Sequence, residues 1–470
     1  MNMQALKFLP LVVLCLFAAL LVFWFLEPAP DVGGVGVPLP KPTLSLKDEA
    51  KSLKGELFKG KAQPSSIEGN WAQFRGPDLS SISLEKHQLA NSWPGEGPPR
   101  LWERDLSKGH GGAVIHKGRI FILDYDTEKL EDVIRCLNFE NGQEIWRYSY
   151  PVKTKNNHGI TRSVPAVNDK YLISLGPKGQ LFCLDSQSGE YLWSKSLVLE
   201  YEATVPKWYS GQCPLLMKDK VIVAPCGKKA FVIQIDCATG EVDWQSDNKM
   251  RWEMTHTSVS PMTLKGGQKT YVYSGSGGVA GVSADNGDVL WVNREWKIKI
   301  AACASPLVID EERLFLSAGY SAGCMMIKIF QDSEGVWQSE KVFQLPEKKF
   351  GSVQHTPILY KDHIYGTRPN YELVCMTLDG EIKWQSGVVK FGIGPYMMIQ
   401  DKMFLLDSKS CDLTMISVNP DQYDQLLRLN LWDGHDAYGL MAYSHGILIL
   451  RDLKKMVALD ISLNGYKKIF

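Results

Sequence analysis

The sequence predicts an all-β fold: an eight-bladed β-propeller of four-stranded blades, closed by an N-terminal outer strand, behind a single N-terminal transmembrane helix. Three observations predict it. A strand–turn–strand phrase ending in Trp recurs about every 47 residues. A Pro recurs at the start of the strand that begins each unit. The last unit lacks its final strand, and a matching strand waits near the N-terminus.

The phrase reads CLNFENGQEIW (136–146), CLDSQSGEYLW (183–193), QIDCATGEVDW (234–244), GVSADNGDVLW (281–291) and, one residue shorter, CMTLDGEIKW (375–384). Gly stands four residues before Trp each time, at Gly142, Gly189, Gly240, Gly287 and Gly380. A degenerate copy is expected to end at Trp337 and a seventh near Leu427. The recurring Pro residues are Pro165, Pro214, Pro261, Pro306, Pro357 and Pro395. Pro removes a ladder bond, so it belongs at a strand start or a free edge, which the strand lining a propeller channel provides. The stretch after residue 437 supplies three strands only. PRLWERDL (99–106), with Trp102 in the repeated position, is expected to complete that blade and remove the open edges.

Ahead of the propeller, Phe8 to Leu26 carries no charge and is long enough to span a bilayer. It runs on through Phe23, Trp24 and Phe25 without a small-residue exit, which favours an uncleaved anchor over a cleaved signal. Lys7 precedes the span and Glu27 and Asp31 follow it, placing the body on the periplasmic, extracytoplasmic side of the inner membrane. The expected division is 1–27 signal-anchor, 28–69 Pro/Gly- and Lys-rich linker, 70–98 lead-in segment and 99–470 propeller. Within the linker, residues 44–61 are expected to form a short helix.

Composition narrows the function classes. Lys+Arg and Asp+Glu both number 52, so formal net charge is zero and nucleic acid is not the expected partner. Ten Cys are present, none adjacent and none spaced CxxC. Cys136, Cys183 and Cys375 share one repeat position and read as small buried hydrophobes. Cys213 and Cys226 face each other across a hairpin with an imperfect offset, which argues against a disulfide.

The phrase LD-x-x-(T/S)-G-E-x-x-W, clearest around Cys237 to Trp244, resembles the pyrroloquinoline-quinone-type (PQQ-like) propeller repeat over residues 99–461. Eight blades behind a membrane attachment are similar to the propeller lipoprotein of the outer-membrane β-barrel assembly machinery, which is non-catalytic. NWAQFRGPDLSSIS with SWPGEGPPRLW resembles exported planctomycete and verrucomicrobial propeller proteins. The repeat implies fold rather than function, because the residues it specifies are structural. In the quinoprotein dehydrogenases of this fold, PQQ lies over the channel with Ca²⁺, a catalytic Asp and a disulfide between adjacent Cys. This chain has no Cys-Cys pair, no CxxCH and no run of Ca²⁺ ligands, so neither cofactor nor metal is expected.

Two motifs that resemble catalytic ones are expected to be hairpin glycines. Gly319-Tyr320-Ser321-Ala322-Gly323 fits a nucleophile elbow and Gly275 to Ala280 a dinucleotide fingerprint, but each is followed by a strand where the motif needs a helix. The candidate site is instead the channel mouth. His110, His256, His355 and His435 lie at or just before inner strands, as does His158, and Arg162, Trp208, Arg251, Trp252 and Trp296 lie in or beside the loops entering them. Trp208, Trp252 and Trp296 are expected to form a partly exposed aromatic arc with Arg251 and His256 beside it. The rim suits a protein, peptide or glycan partner. The expected function is a membrane-anchored, non-catalytic, monomeric scaffold; the alternative is a PQQ-dependent oxidoreductase.

Overall fold

The computed structural model describes residues 53–93, 97–155 and 157–467. The apolar stretch read as a transmembrane anchor lies outside them, and among the described residues no helix is long and apolar enough to cross a membrane. Eight antiparallel blades form the propeller. Blade 1 runs from channel to rim as Val114–His116, Arg119–Asp126, Glu131–Asn138 and Glu144–Pro151. Blades 2 to 7 repeat the order and end with Asp424–Asn430. Blade 8 has Ala442–Ser444, Ile447–Arg451 and Lys455–Asp460, and Arg100–Asp105 pairs with the last of these as its outer strand. The two ends of the chain thus share one sheet.

The recurring phrase encodes a turn and a docking surface. In blade 3, Asp236 Oδ1 accepts the N–H groups of Ala238 (2.9 Å) and Thr239 (3.0 Å), and the Thr239 hydroxyl as well. Asp185 does the same in blade 2, and Asn138 Oδ1 accepts the two equivalent N–H groups in blade 1. The following Gly closes the turn in the left-handed region. In all eight blades the pairing between third and outer strands then shifts by one residue, a bulge that twists the outer strand. The bulge aims the Trp sideways onto the next blade. Trp102, Trp146, Trp193 and Trp244 donate their indole N–H to Phe139, Gln187, Cys237 and Ala284 carbonyls of the neighbouring turn at 2.7–3.1 Å. Each ring also covers that turn's Gly. A Cβ on Gly189 would stand 2.6 Å from Trp146 Cδ2, and the equivalent positions at Gly142 and Gly240 are as tight.

Blade 5 departs from the expectation. Its outer strand runs Trp337–Leu345, and the residue at the bulge opposite Met326 is Phe343, not Trp337. The blade's third strand runs on to Gln331, well beyond the phrase, which moves the turn and places Trp337 at the strand start. The displaced turn leaves Trp291 Nε1 of blade 4 buried without an acceptor among the described residues.

The segment expected as linker is structured from residue 53 onward, and no helix spans 44–61 in its described part. Glu56–Lys59 is a strand that adds antiparallel to the rim of blade 1, with Glu56 opposite Ser149 and Lys59 opposite Trp146. The reason is the free edge of that outer strand, whose unpaired backbone groups the segment satisfies. From Gly60 the chain passes under blade 1 and turns inward. Asn70–Trp71 pairs with the inner strand of blade 1, and Ile82–Ser83 pairs with that of blade 7.

Direction follows from this topology. Every inner strand starts at one face, so the loops entering inner strands and the hairpins between second and third strands share that face, the mouth. The remaining turns, including all the Gly-acid turns, share the opposite face.

Gly189→Ala tests the docking surface. It imposes both a left-handed conformation, costing roughly 1–2 kcal/mol, and a clash with Trp146, costing roughly 1–3 kcal/mol. Urea unfolding should therefore show a stability loss of about 2–5 kcal/mol. A loss below about 0.5 kcal/mol would mean that the Trp does not need the bare turn.

Candidate functional site: the channel mouth

The channel is closed at one end by the chain itself. Residues 70–83 cross it and bond to the inner strands of blades 1, 2, 3, 7 and 8. The Asn70 N–H donates to Ser444 Oγ at 3.0 Å, the Ala72 carbonyl accepts from Val167, Gln73 Oε1 accepts from Leu216, and the Ser81 carbonyl accepts from Met398. Arg75 is buried at the centre. Its Nε donates to Ser81 Oγ at 3.0 Å, and its Nη2 donates to the Ser80 and Pro357 carbonyls at 3.1 and 3.0 Å. Burial lowers its pKa to about 10, which still leaves it charged at neutral pH. A buried cation of this kind is tolerated because every acceptor it meets is a dipole already in place. Phe74, Arg75 and Ser81 form the floor of a cavity of about 370 Å³.

The walls come from the mouth loops. Just before the inner strands, a belt of short polar side chains links neighbouring blades. Val164 N–H donates to Cys213 Sγ, Cys213 N–H to Ser258 Oγ, Ser258 N–H to Ser305 Oγ and Ser305 N–H to Thr356 Oγ1, the last three at 2.9 Å. Cys213, Ser258 and Thr356 face the cavity. Above them stand His110, His158, Arg162, Trp208, His256 and His355, with Tyr320, Asp436 and Tyr438 nearer the rim. The structure thus brings His110, Arg162, Trp208, His256 and His355 together around one space.

The other predicted residues are elsewhere. Trp252 is 5% exposed and lies on the bare backbone of Gly275, Gly277 and Gly278, edge-on to Phe231. Trp296 is 1% exposed among Met262, Leu264 and Trp291. No aromatic arc forms, because two of the three indoles gain more by packing between blades than by lining a wet rim. Arg251 is exposed outside the cavity, and so is His435, whose Nδ1 lies 3.2 Å from Asp436 Oδ2. Sequence reasoning missed the floor residues Phe74 and Arg75 and the wall residues Cys213, Ser258, Tyr396 and Tyr438. A Ser, Thr or Cys immediately before the inner strand was the available signal for the belt.

The electrostatics of the cavity are unusual for a cluster of His. Burial, then the Arg162 charge, pulls His110 down to about 3, and the same two causes pull His256 to about 4. Burial alone lowers His355 to about 3. All three are neutral imidazoles at pH 7, capable of donating and accepting at once. His110 Nε2 lies 2.6 Å from the His158 carbonyl and so carries the hydrogen there. The one wall cation, Arg162, donates to the carbonyls of Trp208, Asn157, His158 and Gly159, gathering two loops around itself.

The donor set does not fit a quinone held by a calcium ion. Asp436 is the single carboxylate among the lining residues, and both arginines are taken up by backbone carbonyls. Among the described residues no three His, Cys, Asp or Glu are placed to hold a metal ion. The elbow-like Ser321 sits in a hairpin before the strand Gly323–Gln331. Its Oγ meets Glu347 at 3.3 Å and no imidazole. The described Cys are free thiols, Cys213 and Cys226 included.

Fold and repeat define a PQQ-like β-propeller. The family described as outer membrane protein assembly factor BamB matches residues 130–386, more than half of the chain, and the chain belongs to that family. No curated protein matches its sequence. Among solved structures it is similar to BamB from Moraxella catarrhalis, at 14% identity over 86% of this chain and 100% of that one, with a TM-score of 0.48. The computationally designed protein Ika8 is 11% identical over 77% of this chain and 100% of its own, with a TM-score of 0.52. Quinohemoprotein alcohol dehydrogenase ADHIIG from Pseudomonas putida HK5 is 10% identical over 84% of this chain and 80% of its own, with a TM-score of 0.44. At these identities the likeness is one of fold.

The depressed imidazoles make a prediction about pH. His355 takes up a proton near pH 6.5 when unfolded but only near pH 3 when folded, so the unfolded state binds more protons between those values. Its contribution is complete above pH 6.5 and is lost as pH falls, at about 1.4 kcal/mol per pH unit. Urea unfolding from pH 7 to pH 4 should show a shallower acid limb in His355→Gln than in the wild type. An unchanged limb would show that His355 titrates freely in the folded protein.

Proposed function

We propose that this chain is a non-catalytic propeller scaffold, tethered to the inner membrane by its N-terminal segment and facing the extracytoplasmic side, that receives an extended segment of a protein partner in the channel mouth. The observation that carries this reading is the one-ended cup. The chain's own residues 70–83 close the floor, and loops from around the ring build walls of neutral imidazoles, hydroxyls and aromatic rings. A blind cavity of about 370 Å³ lies at the small end of the range for binding sites. It suits one or two side chains of a loop better than a cofactor. The absence of a nucleophile–base pair or carboxylate pair among the lining residues supports binding rather than chemistry. The assembly-factor description of the family supports a protein partner over a glycan.

Trp208, Tyr320 and Tyr438 are the wall aromatics with accessible faces, Tyr320 the most open at 37% exposed. The carbonyl of Trp208 that Arg162 uses to join two loops remains in an Ala variant, and the ring itself has only Lys207 and His256 beside it. Capture of the partner by the full chain from solubilised membranes should weaken about tenfold or more in Trp208→Ala and Tyr320→Ala, as for aromatic anchors at interfaces. Melting temperature should stay within about 2 °C of wild type in both. Undiminished capture by both variants would remove the mouth as the binding site.

A further inference from the structure

The net charge of zero conceals a strong separation of charge between the two faces. The connections on the mouth side, between the strand ends given by the sheets, carry twenty Lys and Arg against twelve Asp and Glu. The connections on the opposite side, in blades 1 to 7 and the first turn of blade 8, carry five against seventeen. Three of the mouth acids are taken up in ion pairs. Glu372 pairs with Arg368 and Lys390, Asp407 with Arg428, and Glu295 with Lys341. By contrast Lys153, Lys155, Lys297, Lys299, Lys348 and Lys349 stand exposed in three mouth loops and form no ion pair among the described residues. The opposite face carries acidic runs such as Asp310-Glu311-Glu312.

A second observation gives this polarity a direction. The rim strand Glu56–Lys59 starts opposite Ser149, toward the mouth end of blade 1, and descends to Trp146, toward the opposite face. The described chain therefore begins on the rim of blade 1 near its mouth end. Only 26 residues separate that point from Leu26, the end of the apolar segment. They extend to at most about 90 Å, which keeps the propeller near the bilayer without orienting it.

We propose that the mouth face is a docking surface for an anionic phospholipid bilayer, so that the propeller lies mouth-down on the membrane that anchors it. Exposed Lys side chains attract anionic headgroups within a screening length of the surface. The acidic opposite face is repelled from the same surface, so attraction and repulsion turn the molecule the same way. The inference rests on the tethering reading and sharpens it. A mouth turned to the membrane receives its partner segment from a protein embedded there, not from one diffusing in the solvent.

The test is hydrogen–deuterium exchange on the full chain reconstituted in vesicles of phosphatidylcholine alone and of phosphatidylcholine with phosphatidylglycerol. The tether holds the chain on both, and flotation confirms that separately, so failure of anchoring and failure of docking are distinguishable. With anionic lipid, loops 152–165, 294–306 and 346–357 should exchange about tenfold more slowly, with turns 309–312 and 332–336 unchanged. In 0.5 M salt, where screening falls to about 4 Å, the slowing should vanish from the wild-type protein. Combined Lys153→Glu, Lys155→Glu, Lys297→Glu and Lys299→Glu should abolish it at low salt. The salt arm decides the matter even if that variant folds poorly. Equal exchange in the two vesicle types, or slowing on the opposite face, overturns the proposal. So does slowing produced by added polyglutamate but not by anionic lipid, which would assign the face to an acidic protein.

Discussion

The propeller depends on a contact that each blade makes with the next: an indole lying on a bare left-handed turn and donating to one of its carbonyls. Trp146 on Gly189, Trp193 on Gly240 and Trp102 on Gly142 are the same contact at three junctions. The contact needs three things at once. An Asx-type turn must present the carbonyl, a Gly must leave the space, and a bulge must aim the ring sideways. Because Trp102 belongs to the N-terminal strand and Gly142 to blade 1, the contact also operates across the closing junction. Where one requirement fails, as beside the displaced turn of blade 5, the indole of Trp291 is buried without an acceptor among the described residues.

With the ring established, function becomes a question of which openings remain. The inner strands leave their channel edges unpaired, and the segment around Arg75 uses those edges to build a floor. That converts a pore into a cup with a single opening, and the loops at that opening combine an interior of neutral imidazoles and engaged arginines with a basic rim. The interior offers one carboxylate, Asp436, and two arginines already engaged by backbone carbonyls, a poor fit to a quinone and its metal. It can supply donors, acceptors and ring faces to a polypeptide segment. In the proposed reading, recognition and orientation are divided between the cavity and the charged rim around it.

Much of the architecture was legible in the sequence because repetition amplifies weak local signals. Eight blades, the Pro-marked inner strands and closure through Trp102 could all be read from spacing. The site was legible only in part. Position along the chain placed His110, Arg162, Trp208, His256 and His355 at the mouth, but it does not say which way a ring turns. Trp252 and Trp296 share the loop position of Trp208 yet turn inward, because glycines at 275–278 and the apolar cluster around Met262 offer them dry surfaces. The floor was hidden for a different reason. NWAQFRGP has no counterpart in the repeat, so nothing in the periodicity shows that it returns to the channel. The strand Glu56–Lys59 was hidden because its charged, short sequence becomes a strand only when an edge is there to receive it. Charge separation was invisible to composition, since two faces of opposite sign sum to zero.

The central claim is that the docking contacts make one closed cooperative unit in which the N-terminal strand is as integral as any other. Native-state hydrogen exchange in low concentrations of urea tests it directly. Amides of Arg100–Asp105 should exchange along the same urea dependence, and with the same opening free energy, as those of the third strand of blade 4, Gly278–Ser283. Exchange of the N-terminal strand through a separate opening several kcal/mol cheaper, with blade 4 still protected, would show a ring that closes late and loosely and would contradict the account.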